Sequence, residues 1–535
     1  MSFELPPPCL ASTGARPLSN AGRSRRLRGR RWWREAGYLG ALAGLAIGCG
    51  SFAGRAEWPL YRGPHGNGVS EERLRTDWNE HPPERLWRLP LTNGLSSVTI
   101  SDGRVFTQVR VGGVLDGTDV CVALEAATGR FLWTRPVGQA RYPDGGVGSD
   151  DGPRSTPVVR GGRVFVLGSY LDLHCFEVAD GATVWSRDLR AELGGSVIPW
   201  QNAASPLLEG ELLLLNCNAS PRALVALRQS DGEVVWRSGD ERMTHATPVP
   251  ATILGERQVV FLTQFGAVSV RPLTGEVLWR HRFPYNTSTG ASPVVDGEVV
   301  YGAAAYARGS AAARVSRTDA GFAAGSVWGP LSTRMIHWST PVAVGGHIYG
   351  LFGQNSGRLR CLDLRDGAYT WEGPNVGLGA ILLVDGKLLV ATEGGEILLA
   401  EPDPTAYREI GRFRALNGRV WNSPAISDGV LYVRGTTELA AFDVGPPRPR
   451  VLRLAAHWDP LGRVVSFTVS DAEGQPLLPI QAQAIQLLEA SRVGEGASWT
   501  PVELSWTVAD GVLRGEVPVP PEVNGARFYV GRETD

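Results

Sequence analysis

The chain contains 535 residues, 43% of them hydrophobic, which is enough for more than one domain or for one large repeat array. Its 53 Lys and Arg residues nearly balance its 54 Asp and Glu residues, so the charge favours neither a nucleic-acid partner nor an acidic substrate. Lys387 is the only lysine. This composition argues against Schiff-base chemistry, because lysine is its nucleophile.

A basic run precedes an apolar run near the N-terminus. Seven arginines lie between residues 23 and 34, and 13 apolar or small residues follow at positions 36–48. This order is typical of a signal peptide, and the apolar run is too short for a membrane-spanning helix. Residues 46–49 end in Cys49 and resemble the lipobox of bacterial lipoproteins. We expect residues 1–48 to be a lipoprotein-type signal peptide and Cys49 to be lipidated; an ordinary secretory signal is the alternative.

A short pattern recurs five times along the chain. It consists of an alternating strand, a Thr-Gly or Asp-Gly turn, and a second strand with a Trp four residues after the Gly. Because it recurs once per unit, we expect it to dock neighbouring units rather than to bind a ligand. Its glycines and tryptophans are Gly129 and Trp133, Gly181 and Trp185, Gly232 and Trp236, Gly275 and Trp279, and Gly367 and Trp371.

A second hairpin precedes each copy of this pattern. It begins with Ser-Pro or Thr-Pro, as at Thr156-Pro157, and turns at a Gly-containing pair. Six clear copies and two degenerate ones give eight units of four short strands. The docking glycines are spaced by 52, 51 and 43 residues from Gly129 to Gly275, which fits the blades of a β-propeller. Residues 57–445 are therefore predicted to form an eight-bladed propeller.

The last unit lacks a fourth strand before prolines begin at Pro446. Residues 84–90 resemble the missing strand, so we predict that they complete the last blade and leave no open sheet edge. Residues 446–451 form a Pro-rich linker. Residues 452–535 lack the repeat but alternate in four segments, which predicts a small all-β module resembling a sandwich.

The repeat resembles the tryptophan-docking repeat of propellers that bind pyrroloquinoline quinone (PQQ), and the resemblance covers residues 57–445. This PQQ-like family includes quinoprotein alcohol dehydrogenases and BamB, the non-enzymatic lipoprotein of the outer-membrane β-barrel assembly machinery. Residues 58–68, WPLYRGPHGNG, resemble the opening motif of many secreted members. The resemblance implies the fold, whereas the same propeller hosts several functions.

For an enzyme, the resemblance implies an adjacent Cys-Cys pair, calcium ligands and a catalytic Asp. No two cysteines are adjacent, and Cys175 and Cys361 occupy a position filled by Ala or Ser in other copies, so we expect them to be buried fillers. Asp144, Asp150 and Asp151 lack the ligand spacing of a calcium loop, and we expect a solvated loop. We therefore predict no metal, no cofactor and no enzymatic activity; PQQ and calcium belong to the alternative.

The residues just before each Ser/Thr-Pro enter the innermost strands and should gather at one mouth of the central channel. Aromatic, amide and basic side chains together suit a ligand or peptide pocket. Each could instead pack between blades or bind loop backbone. The predicted site consists of Arg154, Trp200, Gln201, Asn202, His245, Tyr285, Asn286, His337, Trp338, Trp421 and Asn422.

The sequence thus predicts an exported, lipid-anchored binding or scaffold protein of the periplasm or outer membrane, monomeric and without a nucleic-acid partner. Its expected partners are envelope proteins or peptides, and its only expected membrane contact is the lipid anchor. Two alternatives stay open. One is a divergent PQQ-dependent oxidoreductase acting on alcohols or sugars; the other is a carbohydrate-binding propeller.

Overall fold

The computed structural model describes residues 57–144, 148–286 and 289–446, together with the backbone of seven strands beyond residue 452. The predicted signal peptide, Cys49 and residues 447–452 lie outside the described residues.

Eight antiparallel sheets form the eight blades of a β-propeller in the described part of the chain, as the repeats predict. The first hairpin of most blades turns at a Gly-containing pair such as Asp102-Gly103, where both residues have positive φ (51° and 70°). The strands of blades 1 and 2 are Thr99–Ser101, Arg104–Val111, Gly117–Glu125 and Phe131–Ala140, then Val158–Arg160, Arg163–Leu167, Asp172–Glu177 and Thr183–Asp188. The strands of blades 3 and 4 are Leu207–Glu209, Leu212–Asn216, Leu224–Arg228 and Val234–Ser238, then Val249–Ile253, Glu256–Leu262, Ala267–Val270 and Val277–His281.

Blades 5 and 7 lack the regular Gly-x3-Trp spacing, and both carry four strands of their own. The strands of blades 5 and 6 are Val294–Asp296, Val299–Ala304, Gly309–Thr318 and Gly321–Leu331, then Val342–Val344, His347–Phe352, Arg358–Asp363 and Tyr369–Asn375. The strands of blades 7 and 8 are Ala380–Val384, Lys387–Ala391, Glu396–Ala400 and Glu409–Arg414, then Ala425–Ser427, Val430–Arg434, Glu438–Asp443 and Glu84–Pro90.

The ring closes with the N-terminal strand that the sequence predicts. Glu84–Pro90 pairs antiparallel with Glu438–Asp443 and becomes the outermost strand of blade 8. Arg88 and Glu438 form an ion pair across this seam. Joining the two ends of the propeller in one sheet fixes the ring without an unpaired edge at the seam.

Tryptophans dock neighbouring blades, and Trp133, Trp185 and Trp236 each contact the glycine of the next copy of the repeat rather than their own glycine. Trp133 Nε1 donates to Val178 O at 3.0 Å, and a Cβ on Gly181 would lie 2.7 Å from the Trp133 indole. Trp279 differs, because its Nε1 donates to Gln258 Oε1 in its own blade. The tryptophans that donate to a carbonyl of the following blade are Trp87, Trp133, Trp185, Trp236, Trp328 and Trp371.

The Ser or Thr of the Ser/Thr-Pro pairs has a role that the sequence pattern does not reveal. The hydroxyl of Thr156 accepts the backbone N–H of Ser97 at 3.0 Å, and the N–H of Thr156 donates to the hydroxyl of Ser205 at 2.9 Å. The N–H of Ser205 then donates to the hydroxyl of Thr247 at 2.9 Å. These bonds link the innermost strands of consecutive blades, while the adjacent proline has no N–H to satisfy.

The opening motif fills the centre of the ring. Trp58 and Ile100 of blade 1 exchange two backbone hydrogen bonds of 3.0 Å. Val69–Ser70 pairs in parallel with Ala380–Val384, the innermost strand of blade 7. The chain therefore enters the channel, turns and leaves again, and we call residues 58–70 the plug.

Two close contacts explain the glycines of the plug. A Cβ on Gly63 would lie 3.1 Å from the Trp58 indole, and a Cβ on Gly68 would lie 2.7 Å from Cζ of Arg62. Gly68 N donates to Arg62 O at 2.8 Å and closes the turn. Only glycine allows this approach and the positive φ of 97° and 81° at the two positions.

Beyond residue 452 the described backbone forms two antiparallel sheets, in agreement with the predicted all-β module. One sheet has the order Arg453–Asp459, Val464–Ser470, Val512–Pro518, Thr507–Ala509, and the other has Thr500–Val502, Ile485–Ala490, Phe528–Glu533. Their packing as a sandwich stays a prediction. The described residues include one α-helix, Leu189–Leu193, and one 3-10 helix, Gly148–Asp150. None of the described helices has the length and hydropathy that crossing a membrane requires.

Candidate functional site: the mouth of the central channel

A cavity of about 320 Å³ lies at one end of the channel, where the segments that enter the innermost strands converge. We call this end the mouth face; the opposite face carries the Asp-Gly and Thr-Gly turns. The tip of the plug, Tyr61 and Arg62, forms the floor of the cavity. The plug therefore forms the inner end of this pocket, which opens at the mouth face.

Six of the eleven predicted site residues line this cavity. They are Arg154, Trp200, His245, His337, Trp338 and Trp421. They come from five inter-blade segments, so the repeat positions them around one opening although the residues themselves differ from copy to copy. Whether they bind a ligand remains a prediction.

The three predicted amides at blades 3 and 8 do not line the cavity, and each side chain binds a neighbouring group of the protein. Gln201 Nε2 donates to Asp144 Oδ2 at 3.0 Å. Asn202 Nδ2 donates to Ala204 O at 3.0 Å, and Asn422 Nδ2 donates to Ser96 O at 2.7 Å. They lie outside the lining because Asn202 and Asn422 donate to backbone carbonyls and Gln201 donates to a carboxylate; their role in binding stays a prediction.

The two predicted residues before blade 5 also lie outside the lining. Tyr285 is 40% exposed, and the backbone N–H of Asn286 donates to Thr289 Oγ1 at 2.8 Å. Gly290 takes the lining position of this segment instead. A small residue here leaves room beside Trp338, whose Cβ lies 3.1 Å from where a Cβ of Gly290 would be.

Tyr61, Arg62 and Tyr306 also line the cavity, and none of them is among the predicted site residues. Tyr61 and Arg62 belong to the opening motif, which recurs nowhere in the chain and therefore gave no position in a blade. Tyr306 lies in the turn between the second and third strands of blade 5, on the mouth face, and a left-handed backbone (φ 55°) holds it there. The unusual composition of residues 58–68 was the only available signal for the plug.

Four aromatic rings form a continuous wall on one side of the cavity. Ring centroids lie 5.2 Å apart for Tyr306 and His337, 4.2 Å for His337 and Trp338, and 4.5 Å for Trp338 and Trp421. The indole N–H groups point to protein partners: Trp338 Nε1 donates to a backbone carbonyl at 3.2 Å and Trp421 Nε1 to Glu393 Oε1 at 2.8 Å. The wall therefore offers apolar ring surface to a ligand.

The opposite side of the cavity is polar. Arg154 Nη2 pairs with Asp151 Oδ1 at 2.7 Å, and its Nη1 donates to Trp200 O at 3.1 Å. Asp151 is fully buried, so the expectation that this acidic cluster forms a solvated loop was wrong for Asp151. It holds for Asp144, which is exposed and accepts the backbone N–H of Trp200 at 3.0 Å.

A buried network supports Arg154 from behind. Tyr142 OH donates to Asp119 Oδ1 at 2.5 Å, and Ser169 N donates to Asp119 Oδ2 at 3.1 Å. Burial raises the pKa of Asp119 to about 6, and the hydrogen bonds from Ser169 and Tyr142 limit the rise. The guanidinium carbon of Arg154 lies 5.7 Å from the Tyr142 ring, so this network fixes its position at the rim of the cavity.

His245 lines the same polar side and is neutral at neutral pH. Burial lowers its pKa to about 4, and the positive charge of Arg154 adds to the effect. Its Nε2 is buried without a hydrogen-bond partner among the described residues. His245 therefore adds an uncharged imidazole to the polar side of the cavity.

Arg62 carries an isolated positive charge at the floor. Its Nη1 donates to Thr340 O at 2.7 Å and Ile381 O at 3.1 Å, and its Nη2 donates to Pro341 O at 3.0 Å. Burial lowers its pKa to about 10, so it stays protonated at neutral pH. Among the described residues no carboxylate pairs with it, and the hydrogen bonds of its guanidinium to blades 6 and 7 all go to carbonyl groups.

The calcium–PQQ pair implied by the enzymatic members of the family does not fit this lining. Calcium prefers carboxylate and amide oxygens, yet no Asp, Glu, Asn or Gln is among the described residues that line the cavity. Within the described ranges, no group of three His, Cys, Asp or Glu side chains is placed to hold a metal. The four described cysteines, Cys121, Cys175, Cys217 and Cys361, are buried within the blades.

Comparison of the sequence with known proteins gives one family. Residues 117–373 match the family described as outer membrane protein assembly factor BamB. The outer membrane protein assembly factor BamB of Shewanella oneidensis is 27% identical over 256 residues, which cover 45% of this chain and 60% of that protein. The match therefore spans less than two thirds of the relative.

Two solved structures align with the chain at low sequence identity. BamB from Moraxella catarrhalis aligns with a TM-score of 0.48 and 15% identity, covering 68% of this chain and 99% of that one. Quinohemoprotein alcohol dehydrogenase from Comamonas testosteroni aligns with a TM-score of 0.47 and 14% identity, covering 77% and 85%.

Proposed function

Because the chain contains an eight-bladed propeller of the PQQ-like family, we propose that it is a binding protein whose ligand or partner docks at the channel mouth. The observation that carries this proposal is the cavity itself. It has the volume of a small-molecule site, an aromatic wall and a polar side, and it lacks the oxygen ligands that a calcium quinoprotein needs.

The two ends of the described part of the propeller lie on the face opposite the cavity, which we call the turn face. Glu57 Oε1 accepts a hydrogen bond from Ser101 Oγ at 2.9 Å, and Ser101 directly precedes a turn on the opposite face. Gly445 N donates to Gly429 O at 2.8 Å, also in such a turn. Both ends of the propeller thus leave from the turn face, whereas the cavity opens on the mouth face.

Similarity supports a location and a class of partner for this binding role. The matched family and the Shewanella relative are named as outer membrane protein assembly factors. We infer that this chain likewise acts outside the cytoplasm as a scaffold for envelope proteins or peptides. The signal-like segment 1–48 and the lipobox-like Cys49 are consistent with this location.

Reconstitution with PQQ tests the choice between binding protein and redox enzyme. We expect purified protein incubated with PQQ and calcium to show no calcium-dependent shift in the quinone absorption spectrum, and to reduce no artificial dye when alcohols or sugars are added. The reason is that no carboxylate or amide side chain is among the described residues that line the cavity. A bound quinone together with substrate-dependent dye reduction would contradict the proposal and favour the oxidoreductase. The experiment should include an established quinoprotein dehydrogenase as a positive control.

A further inference from the structure

The junction between blades 4 and 5 lacks the tryptophan bond that joins most neighbouring blades. Trp279 of blade 4 donates to Gln258 Oε1 of its own blade at 2.8 Å instead of to a carbonyl of blade 5. The turn glycine of blade 5, Gly321, meets no ring, since no other described residue lies within 4 Å of an added Cβ. A Cβ on Gly232, by contrast, would lie 2.7 Å from the Trp185 indole. The tryptophan of blade 4 therefore does not hold the turn of blade 5.

The hydroxyl links between innermost strands are interrupted at the same junction. Ser292 of blade 5 holds the position from which Ser205 of blade 3 accepts a bond from the preceding blade. The Oγ of Ser292 is buried and has no partner among the described residues. The links resume at the next junction, where Ser292 N donates to Thr340 Oγ1 at 2.8 Å. Blades 4 and 5 stay joined at the mouth face by a backbone bond of 2.9 Å from His245 N to Thr289 O.

Blade 7 also has no tryptophan and carries Ala380 in place of the innermost Ser or Thr, but the N-terminal segment fills its junction with blade 8. Trp78 is fully buried, and its ring centroid lies 5.4 Å from that of Phe413 in blade 7. Phe413 in turn lies 5.1 Å from Phe442 of blade 8. The plug gives blades 4 and 5 no such filling, because a cavity of about 370 Å³ lies between it and the innermost strands of blades 4, 5 and 6.

A long hairpin of blade 5 crosses this junction on the outside of the ring. Its strands, Gly309–Thr318 and Gly321–Leu331, have 10 and 11 residues, and the second lies beside the outermost strand of blade 4. Phe322 packs against the apolar cluster that contains Trp279. We call the part of the hairpin between residues 316 and 324 the strap.

The polar contacts of the strap with blade 4 are few and lie near the surface. His281 Nδ1 donates to Ala324 O at 3.2 Å. Arg317 Nη2 pairs with Glu256 Oε2 at 3.6 Å, and its guanidinium carbon lies 4.4 Å from the Phe322 ring. Exposed ion pairs contribute little to stability, so the partly buried Phe322 is the main contact of the strap.

We propose that the ring opens between blades 4 and 5 and that the strap holds it shut. Opening at this junction breaks the contacts of the strap and the backbone bond of His245. Opening between blades 1 and 2 would instead break the indole bond of Trp133 and the hydroxyl link of Thr156. Local opening takes place where few interactions hold a structure together. It would give the cavity beside the plug an entrance from the side of the ring. This inference goes beyond the proposed binding function and does not depend on it.

The rate at which a buried thiol reacts measures the opening. Ser292→Cys places a thiol at this junction, and Ser155→Cys places one at the junction of blades 1 and 2, where Gln108 Nε2 donates to Ser155 O at 2.7 Å. The two serines are 3% and 1% exposed, and neither Oγ has a partner among the described residues, so neither change removes a side-chain bond. We would treat each full-length variant with N-ethylmaleimide and identify the labelled peptide by mass. We expect position 292 to react at least about tenfold faster than position 155. An equal or slower rate at position 292 would overturn the proposal.

A change in the strap separates opening of the junction from access through the channel. Phe322→Ala should accelerate labelling at position 292 at least about threefold and leave position 155 unchanged. Phe131→Ala, which removes a 40% exposed ring from the outermost strand of blade 1, is the matched control and should alter neither rate. No acceleration by Phe322→Ala, or equal acceleration at both positions, would contradict the role of the strap. If Phe322→Ala fails to fold, the two rates measured with the strap unaltered still decide where the ring opens.

Discussion

Arg62→Ala should lower the free energy of unfolding by about 3 kcal/mol, because three buried carbonyl groups would lose a charged donor at once. Those carbonyls belong to Thr340, Pro341 and Ile381, so the same change would remove the side-chain bonds between Arg62 and blades 6 and 7 and leave only the backbone pairing of Val69–Ser70 with blade 7. Removing a buried, unpaired cation is favourable in itself and offsets part of this loss of stability. It does not offset all of it, because the truncated side chain leaves a cavity inside the channel. Urea unfolding followed by tryptophan fluorescence measures the change.

Arg73→Ala is the matched control for this prediction. Arg73 lies a few residues after the plug and is exposed, so its replacement should change stability by no more than about 0.5 kcal/mol. Equal stability of Arg62→Ala and the unaltered chain would show that the plug is not held by this side chain. Limited proteolysis should in addition cut Arg62→Ala near residues 58–70 before the blades are cleaved.

Gly181→Ala should destabilise the protein by about 3 kcal/mol, because the new methyl group would meet the Trp133 indole. The Cβ would lie 2.7 Å from that ring, and Gly181 also has a φ of 73°. The ring cannot withdraw easily, since its Nε1 donates to Val178 O and its face packs against the next blade. Overpacking of this kind typically costs 1 to 3 kcal/mol, and left-handed backbone adds about 1 kcal/mol.

Gly161→Ala separates the two contributions. Gly161 has a φ of 57° in the same blade, but no atom lies within 4 Å of its added Cβ. Its replacement should therefore cost only the backbone share, about 1 kcal/mol. If Gly161→Ala and Gly181→Ala lose stability equally, the tryptophan contact between blades contributes nothing measurable, and the docking role of the repeat would have to be abandoned.

Much of the propeller could be predicted because its constraints repeat. The Gly-x3-Trp spacing and the Asp-Gly turns recur along the chain. The last unit lacks a fourth strand, which predicted that Glu84–Pro90 would complete it. The partner of each tryptophan could not be read from one copy, because Trp133 contacts Gly181 of the next blade rather than Gly129. The hydrogen bonds that link the innermost strands through Thr156 could not be predicted either, since they join residues about 50 positions apart.

The site was predicted in position but only partly in composition. A residue's place ahead of an innermost strand puts it near the mouth, yet local backbone decides where its side chain points. Trp200 and Gln201 both have left-handed backbone, with φ of 67° and 59°, and only Trp200 reaches the cavity. Arg62 was not predicted at all. Its motif occurs only once, so no repeat spacing indicates that this segment enters the channel formed by the blades.

The central claim is that partners dock at the mouth face, and site-specific photo-crosslinking tests it most directly. A benzophenone side chain at Tyr306, 42% exposed at the rim of the cavity, is compared with one at Leu273, 71% exposed on the turn face. In cells that make the protein, we predict a specific crosslinked partner from Tyr306 and none from Leu273. Crosslinks from Leu273 alone would contradict the claim.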